Sequence, residues 1–350
     1  MIINKIDFKH YCFHYPFSTT LVDELQSTVN TLNPQDFAQT RKLIESAEQL
    51  PIKNIQLIMI PNQLTVILYQ SLDSDTIVNF GFFESINDQE LVNQCFDFIQ
   101  TQYGDKKQLV GPINFSTFFK YRFKLNCFER SNFLGEPNNL SYYPSLLEGC
   151  GFSVDKTYHS QYSSAKALDV ILNGELDLKL VEQSKKNFSI KSIDKNSIAN
   201  YIQDIYELVI AQFKHKSEFN PISFELFESI YIDEILNYIH PRYSFVYYYH
   251  GQLAGFNFMF DHKKYATENK LKMSDSCSDL IYKTVCIHEQ FQGKGLFKLM
   301  NGYTLAQYPH GISTTGATME DSQFVLNYSD KYGEVQTIDY ALYKKHYENN

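Results

Sequence analysis

Val285-Cys286-Ile287-His288-Glu289-Gln290-Phe291-Gln292-Gly293-Lys294-Gly295-Leu296-Phe297 reads as a strand, a glycine-rich loop and the first turn of a helix. The β-branched, apolar start predicts the strand. Apolar Leu296, Leu299, Met300 and Tyr303 share one helical face and predict an amphipathic helix directly after the loop. Such a junction aims backbone N–H groups and the positive end of a helix dipole at one point. Phosphate binds at such points. Gly293 and Gly295 permit close approach to the main chain, and Lys294 adds positive charge. A P-loop needs Gly-x-x-x-x-Gly-Lys-Ser/Thr, a dinucleotide fingerprint a third glycine; neither is present.

The same loop resembles the acetyl-CoA-binding segment of the GNAT acyltransferases, Gln/Arg-x-x-Gly-x-Gly/Ala after a strand. Gln292 takes the first position and Gly295 the second, while Phe297 stands where a small residue is usual. Gln290, Gly293 and Gly295 match the letters in a second register. The Gln292 register leaves Ile287-His288-Glu289-Gln290-Phe291 as strand end and turn. The surroundings follow the family order. Tyr243 to His250 and Leu253 to Phe260 read as a hairpin about Gly251-Gln252. Gly311 to Thr318 reads as a strand, Asp321 to Lys331 as a helix closed by Gly333, and Glu334 to Tyr343 as an alternating strand. The resemblance covers about Phe188 to Tyr343.

At 350 residues the chain suggests two domains, with the polar stretch Asn173 to Asn196 as linker. The first half repeats the order: strand Thr76–Phe83, helix Gln89–Tyr103, strand Gln108–Ile113, helix Tyr142–Glu148. Its strand-to-helix turn carries Glu84, Asp88 and Glu90 with no glycine or base, and would repel a diphosphate. Phe80-Gly81-Phe82-Phe83-Glu84, Gly111-Pro112-Ile113-Asn114-Phe115-Ser116 and Pro137-Asn138-Asn139-Leu140-Ser141-Tyr142-Tyr143-Pro144, with Gly151-Phe152 after it, resemble segments recurring in a group of tandem GNAT-like bacterial proteins. Phe219-Asn220-Pro221-Ile222-Ser223 looks like a further segment of that group. The resemblance implies an α+β fold, a mixed sheet with helices on both faces. It implies tandem GNAT-like acyl-CoA N-acyltransferase domains, residues 1–180 without a pyrophosphate loop and 181–350 binding acyl-CoA.

What the family does then maps onto named positions. Val285, Cys286 and Ile287 would offer backbone groups to the pantetheine and acyl carbonyl of acetyl-CoA or another acyl-CoA. Gln292, Gly293, Lys294, Gly295, Leu296 and Phe297 would surround the pyrophosphate, and Ser322 stands at the family's helix-start asparagine. The family's thiolate-protonating tyrosine falls on Ser329, leaving Tyr328 or Tyr332 to substitute. His288, beside the loop and with a near-neutral reference pKa, and Asp279 are candidate bases. Asn114, Asn139, Tyr142 and Tyr143 are candidates for the acceptor side, equally readable as caps and turn residues.

Composition narrows the partners. A net charge of −9 disfavours nucleic acid and suits a small-molecule amine. No apolar run reaches the roughly 18 residues a membrane helix needs, and Met1–Asp7 has no secretory pattern. Scattered cysteines without Cys-x-x-Cys indicate a reducing cytoplasm. His10, Cys12 and His14 would share one strand face, but no second cluster completes a metal set. A homodimer is compatible with the sequence. The leading function is N-acyl transfer by direct attack of the amine. The alternatives are an aminoacyl transferase like the tandem-GNAT peptidoglycan enzymes, and a non-catalytic acyl-CoA-binding module.

Overall fold

The computed structural model describes residues 6–34, 37–104, 108–174, 182, 185–216, 218–271, 278–320 and 335–347. In the first half the chain runs through β1 (Cys12–His14), α1 (Thr19–Leu32), α2 (Ala38–Glu45), β2 (Ile52–Ile60), β3 (Leu64–Ser71), β4 (Ile77–Ser85) and α3 (Gln89–Tyr103). It continues through β5 (Gln108–Gly111), β6 (Phe123–Lys124), α4 (Tyr143–Gly149), β7 (Ser153–Ser163) and α5 (Ala165–Gly174). The second half contributes β8 (Ser189–Ser192), α6 (Ile202–Phe213), α7 (Phe224–Leu226), α8 (Asp233–Tyr238), β9 (Phe245–Tyr249), β10 (Gln252–Asp261) and α9 (His262–Glu268). It ends with β11 (Leu280–Ile287), α10 (Leu296–Leu305), β12 (Thr314–Glu320) and β13 (Val335–His346).

The named strands join one mixed sheet in the order β1-β2-β3-β4-β5-β13-β7-β12-β11-β10-β9-β8, with β6 added on β13. β7 therefore lies between two strands of the second half, and β13 between two of the first. Their mutual antiparallel ladder runs from Val335↔Ser163 to Lys344↔Ser153. The halves thus exchange their last strands. β8 lies within the stretch read as a linker.

Helices cover both faces. Strands β3 and β4 are buried almost end to end, as strands covered on both sides must be. On one face a single apolar cluster runs across both halves, joining Leu25, Leu43 and Phe115 to Ile205, Phe227 and Phe256. On the other face α3 buries Leu91, Val92, Cys95, Phe96 and Ile99. There α10 buries Leu296, Leu299 and Met300. Burying a side chain of this kind contributes roughly 1.5–3 kcal/mol.

Two parallel pairs break the sheet's regularity at equivalent places. β4 and β5 pair only over Ile77–Asn79, and β11 and β12 only over Leu280–Tyr282. Beyond those points the long strand, β4 or β11, runs on and a wedge opens. The hairpin turn falls on His250-Gly251, one residue earlier than the sequence suggests, since both residues adopt positive φ (48° and 87°) as a two-residue primed turn requires. β12 starts at Thr314 because Gly311 turns the chain with φ 81°. The expected helix 321–331 lies outside the described residues.

Candidate functional site

The loop after β11 is shaped by two left-handed glycines, Gly293 (φ 70°) and Gly295 (φ 82°). A side chain costs about 1–2 kcal/mol in that conformation. A Cβ on either would meet nothing within 4 Å, so both glycines face open space. Gly295 occupies the N-cap of α10 without a side-chain cap. Among the described residues, the main-chain N–H groups of Gly293, Gly295, Leu296 and Lys298 make no hydrogen bond. The Gln292 amide nitrogen donates to the Ile287 carbonyl at 3.0 Å and to Gln212 Oε1 at 2.7 Å, tying the loop to β11 and α6. Unclaimed donors, open space before the glycines and an exposed Lys294 together fit a diphosphate.

From this loop a cleft of about 1970 Å³ extends along the wedge between β11 and β12. Val285, Cys286 and Ile287 line it, as do Gln292, Gly293, Gly295, Leu296 and Phe297. Phe297 is half-buried on its wall. Burial pushes the Cys286 thiol up to about 12, so this group stays protonated and packs as a small apolar residue. The opposite wall comes from the irregular stretch between β5 and α4, including Phe118, Arg122, Arg130 and Asn138. Sequence periodicity gives no sign of that wall, because the segment has almost no regular structure. Its only advance signal is a density of Asn, Ser and Arg in a long loop, where function concentrates.

The two candidate bases lie elsewhere. His288 caps the turn before the loop, its Nδ1 accepting from the Gln290 N–H at 3.2 Å and its Nε2 lying 3.3 Å from Gln252. Asp279 accepts from the Ser313 N–H and pairs with Lys263. Burial pushes its carboxyl up, but the hydrogen bonds from Lys263 and Ser313 outweigh this and hold it below its ordinary value. Neither residue lines the cleft. Tyr328, Tyr332 and Ser322 lie outside the described residues.

The four acceptor-side candidates do not converge. Asn114 and Asn139 reach the cleft. Asn114 Oδ1 accepts from the Phe82 N–H at 2.7 Å, and Asn139 brackets Lys124 through both its backbone groups. Tyr143 is fully buried, donating to Glu84 at 2.6 Å and accepting from the Ser85 N–H, while Tyr142 donates to the Ser85 carbonyl. These segments hold one another. Gly81 is required because a Cβ there would lie 2.1 Å from the Ile113 carbonyl oxygen. Ser116 donates to the Asn220 carbonyl at 2.5 Å, and Asn220 returns a bond to Phe115, so the Phe219–Ser223 segment joins the halves.

No family model matches the sequence, and no curated protein does. Solved structures do match. A conserved protein of unknown function from Enterococcus faecalis V583, described as a probable N-acyltransferase, aligns with a TM-score of 0.53 at 9% identity over 96% of this chain and 72% of that one. A tandem GNAT protein from the clavulanic acid biosynthesis pathway aligns over 97% of this chain and 99% of that one, at 10% identity and a TM-score of 0.48. The fold is that of the Enterococcus faecalis protein. A GCN5-related N-acetyltransferase from Sphaerobacter thermophilus covers 97% of each chain at 8% identity, with a TM-score of 0.42. At such identities the likeness is one of fold. Among the described residues, the strand, the loop and the helix N-terminus of the second half converge on one cleft.

Proposed function

We propose that the protein is an acyl-CoA-dependent N-acyltransferase for a small-molecule amine. The observation that carries this reading is the pair of left-handed glycines facing open space at an uncapped helix N-terminus. Diphosphate bound there would be held by backbone N–H groups and Lys294. Acyl-CoA would supply an activated thioester carbonyl. The edge of β11 at Val285–Ile287, which β12 does not pair, would position that group along the wedge, and the cleft beyond has room for an amine. Acetyl-CoA is the proposed donor and the cytoplasm the proposed compartment. Described residues include no helix long and apolar enough to cross a membrane.

Release of free CoA thiol from acetyl-CoA, followed with a broad amine panel, tests the reading. Amine-dependent release is expected, and Lys294→Glu should weaken it about tenfold through the donor's KM. Acetyl-CoA binding without release for any amine would instead favour the non-catalytic binding module. That second reading has its own support, since neither His288 nor Asp279 lines the cleft.

A further inference from the structure

The cleft wall contributed by the first half contains a cation without a counter-ion. Arg122 is 5% exposed. Its guanidinium carbon lies over the rings of Tyr121, Tyr158 and Tyr340, at 4.2, 5.0 and 5.1 Å from their centroids. Nε and Nη1 are buried with no hydrogen-bond partner. Among the described residues no carboxylate pairs with Arg122.

The neighbouring charges are already matched. Glu136 takes Lys124 at 3.3 Å and the Tyr340 hydroxyl at 2.6 Å. Glu218 takes Lys156 at 2.6 Å and the Tyr158 hydroxyl at 3.1 Å. Those two lysines and two carboxylates cancel, and the positive charge of Arg122 remains, as does that of the buried Arg130, which lies over Tyr162 and bonds the neutral Gln336. Ring faces compensate a buried cation only in part, and an unpaired buried charge is costly. The position is also fixed: Arg122 adopts φ 63°, and its N–H donates to the Pro112 carbonyl at 2.8 Å.

We propose that Arg122 receives a carboxylate of the acceptor, making the acceptor class an amine that also bears a carboxylic acid. This rests on the acyltransferase reading for the word acceptor, but the anion site itself does not depend on it. A guanidinium presents parallel N–H groups matched to carboxylate geometry. Asn114, Asn138 and Asn139 line the same region and supply neutral polar groups around the pair.

The test uses the full chain labelled with [15N]arginine. Arg41, Arg122, Arg130 and Arg242 are its four arginines, so the Nε–H resonance of Arg122 is assigned by its loss in Arg122→Lys. The protein is titrated with the standard amino acids, with their carboxamides and with phosphoethanolamine, while acetyl-CoA binding is measured separately by calorimetry. A saturable shift of the Arg122 resonance with an amino acid, at least tenfold weaker with the matching carboxamide, is the expected result. Equal responses to acid and amide, a response confined to phosphoethanolamine, or no response at all would overturn the proposal. An amino-acid response in a protein that ignores acetyl-CoA would keep the carboxylate site and remove the acyltransferase reading.

Discussion

In the first half, β4 leaves β5 after Asn79, and the chain itself enters the gap. The Ile113 N–H donates to the Phe80 carbonyl at 2.7 Å, and Asn114 takes the Phe82 N–H. The helix that follows, α3, is capped by its own carboxylate, Asp88 Oδ1 accepting from the Leu91 N–H at 3.1 Å. In the second half, β11 leaves β12 after Tyr282, and the space beside Val285–Ile287 belongs to the cleft. Its helix, α10, starts at a bare glycine. One fold thus carries a wedge filled by protein and a wedge that opens into the cleft. The difference resides in a few residues: Gly81 and Asn114 admit the plug, Asp88 neutralises one helix end, and Gly293 and Gly295 leave the other open.

The largest expected effect comes from disturbing the plug. Gly81→Val places atoms where the Ile113 carbonyl now sits, and should cost about 3 kcal/mol or more in urea unfolding. An unchanged midpoint would break the comparison. Acid should act through the second half, where His262 is buried and its pKa is pushed down to about 4 by desolvation. The unfolded chain then binds more protons between that value and the ordinary 6.5, so stability rises with pH across the window and falls as pH drops from 6.5 towards 4. A loss of up to about 3 kcal/mol is expected, and His262→Gln should flatten the profile over that range. Gly295→Val should cost roughly 1–2 kcal/mol of stability yet weaken acetyl-CoA binding at least tenfold. Retained affinity would show that the loop does not hold the diphosphate. The smallest effect belongs to Asp88→Ala, about 1 kcal/mol for a lost cap, with no gain of acetyl-CoA binding in the first half because the plug remains.

How much of this was legible in the sequence differs between the two wedges. Gly293 and Gly295 announce themselves, since a strand running into paired glycines and an amphipathic helix has few other geometries. The repeated strand–helix–strand order of β4, α3 and β5 was equally readable from periodicity, and Asp88 from its acidic turn. The exchange of β7 and β13 was not. Alternation in Val335–Tyr343 predicts a strand but is silent on its partner, and the partner is some 180 residues away, at Ser153–Ser163. His250 adopts a left-handed conformation although it is neither Gly nor Asn, so the sequence points to a hairpin turn one residue later, at Gly251-Gln252. Asn114, Tyr142 and Tyr143 read equally as cleft groups and as caps, because polar and aromatic residues in recurring segments serve recognition and packing alike. Their hydrogen bonds go to Phe82, Glu84 and Ser85. Arg122 is the opposite case, a single basic residue inside an aromatic stretch with no pattern to mark it.

Calorimetric titration of the wild-type chain with acetyl-CoA and with acetyl-pantetheine, which lacks the diphosphate, addresses the contrast between the wedges most directly. One acetyl-CoA per chain, with acetyl-pantetheine binding at least tenfold more weakly, is the outcome expected if the amides at the start of α10 grip the diphosphate. Two molecules per chain, equal affinities for the two compounds, or no acetyl-CoA binding would contradict it.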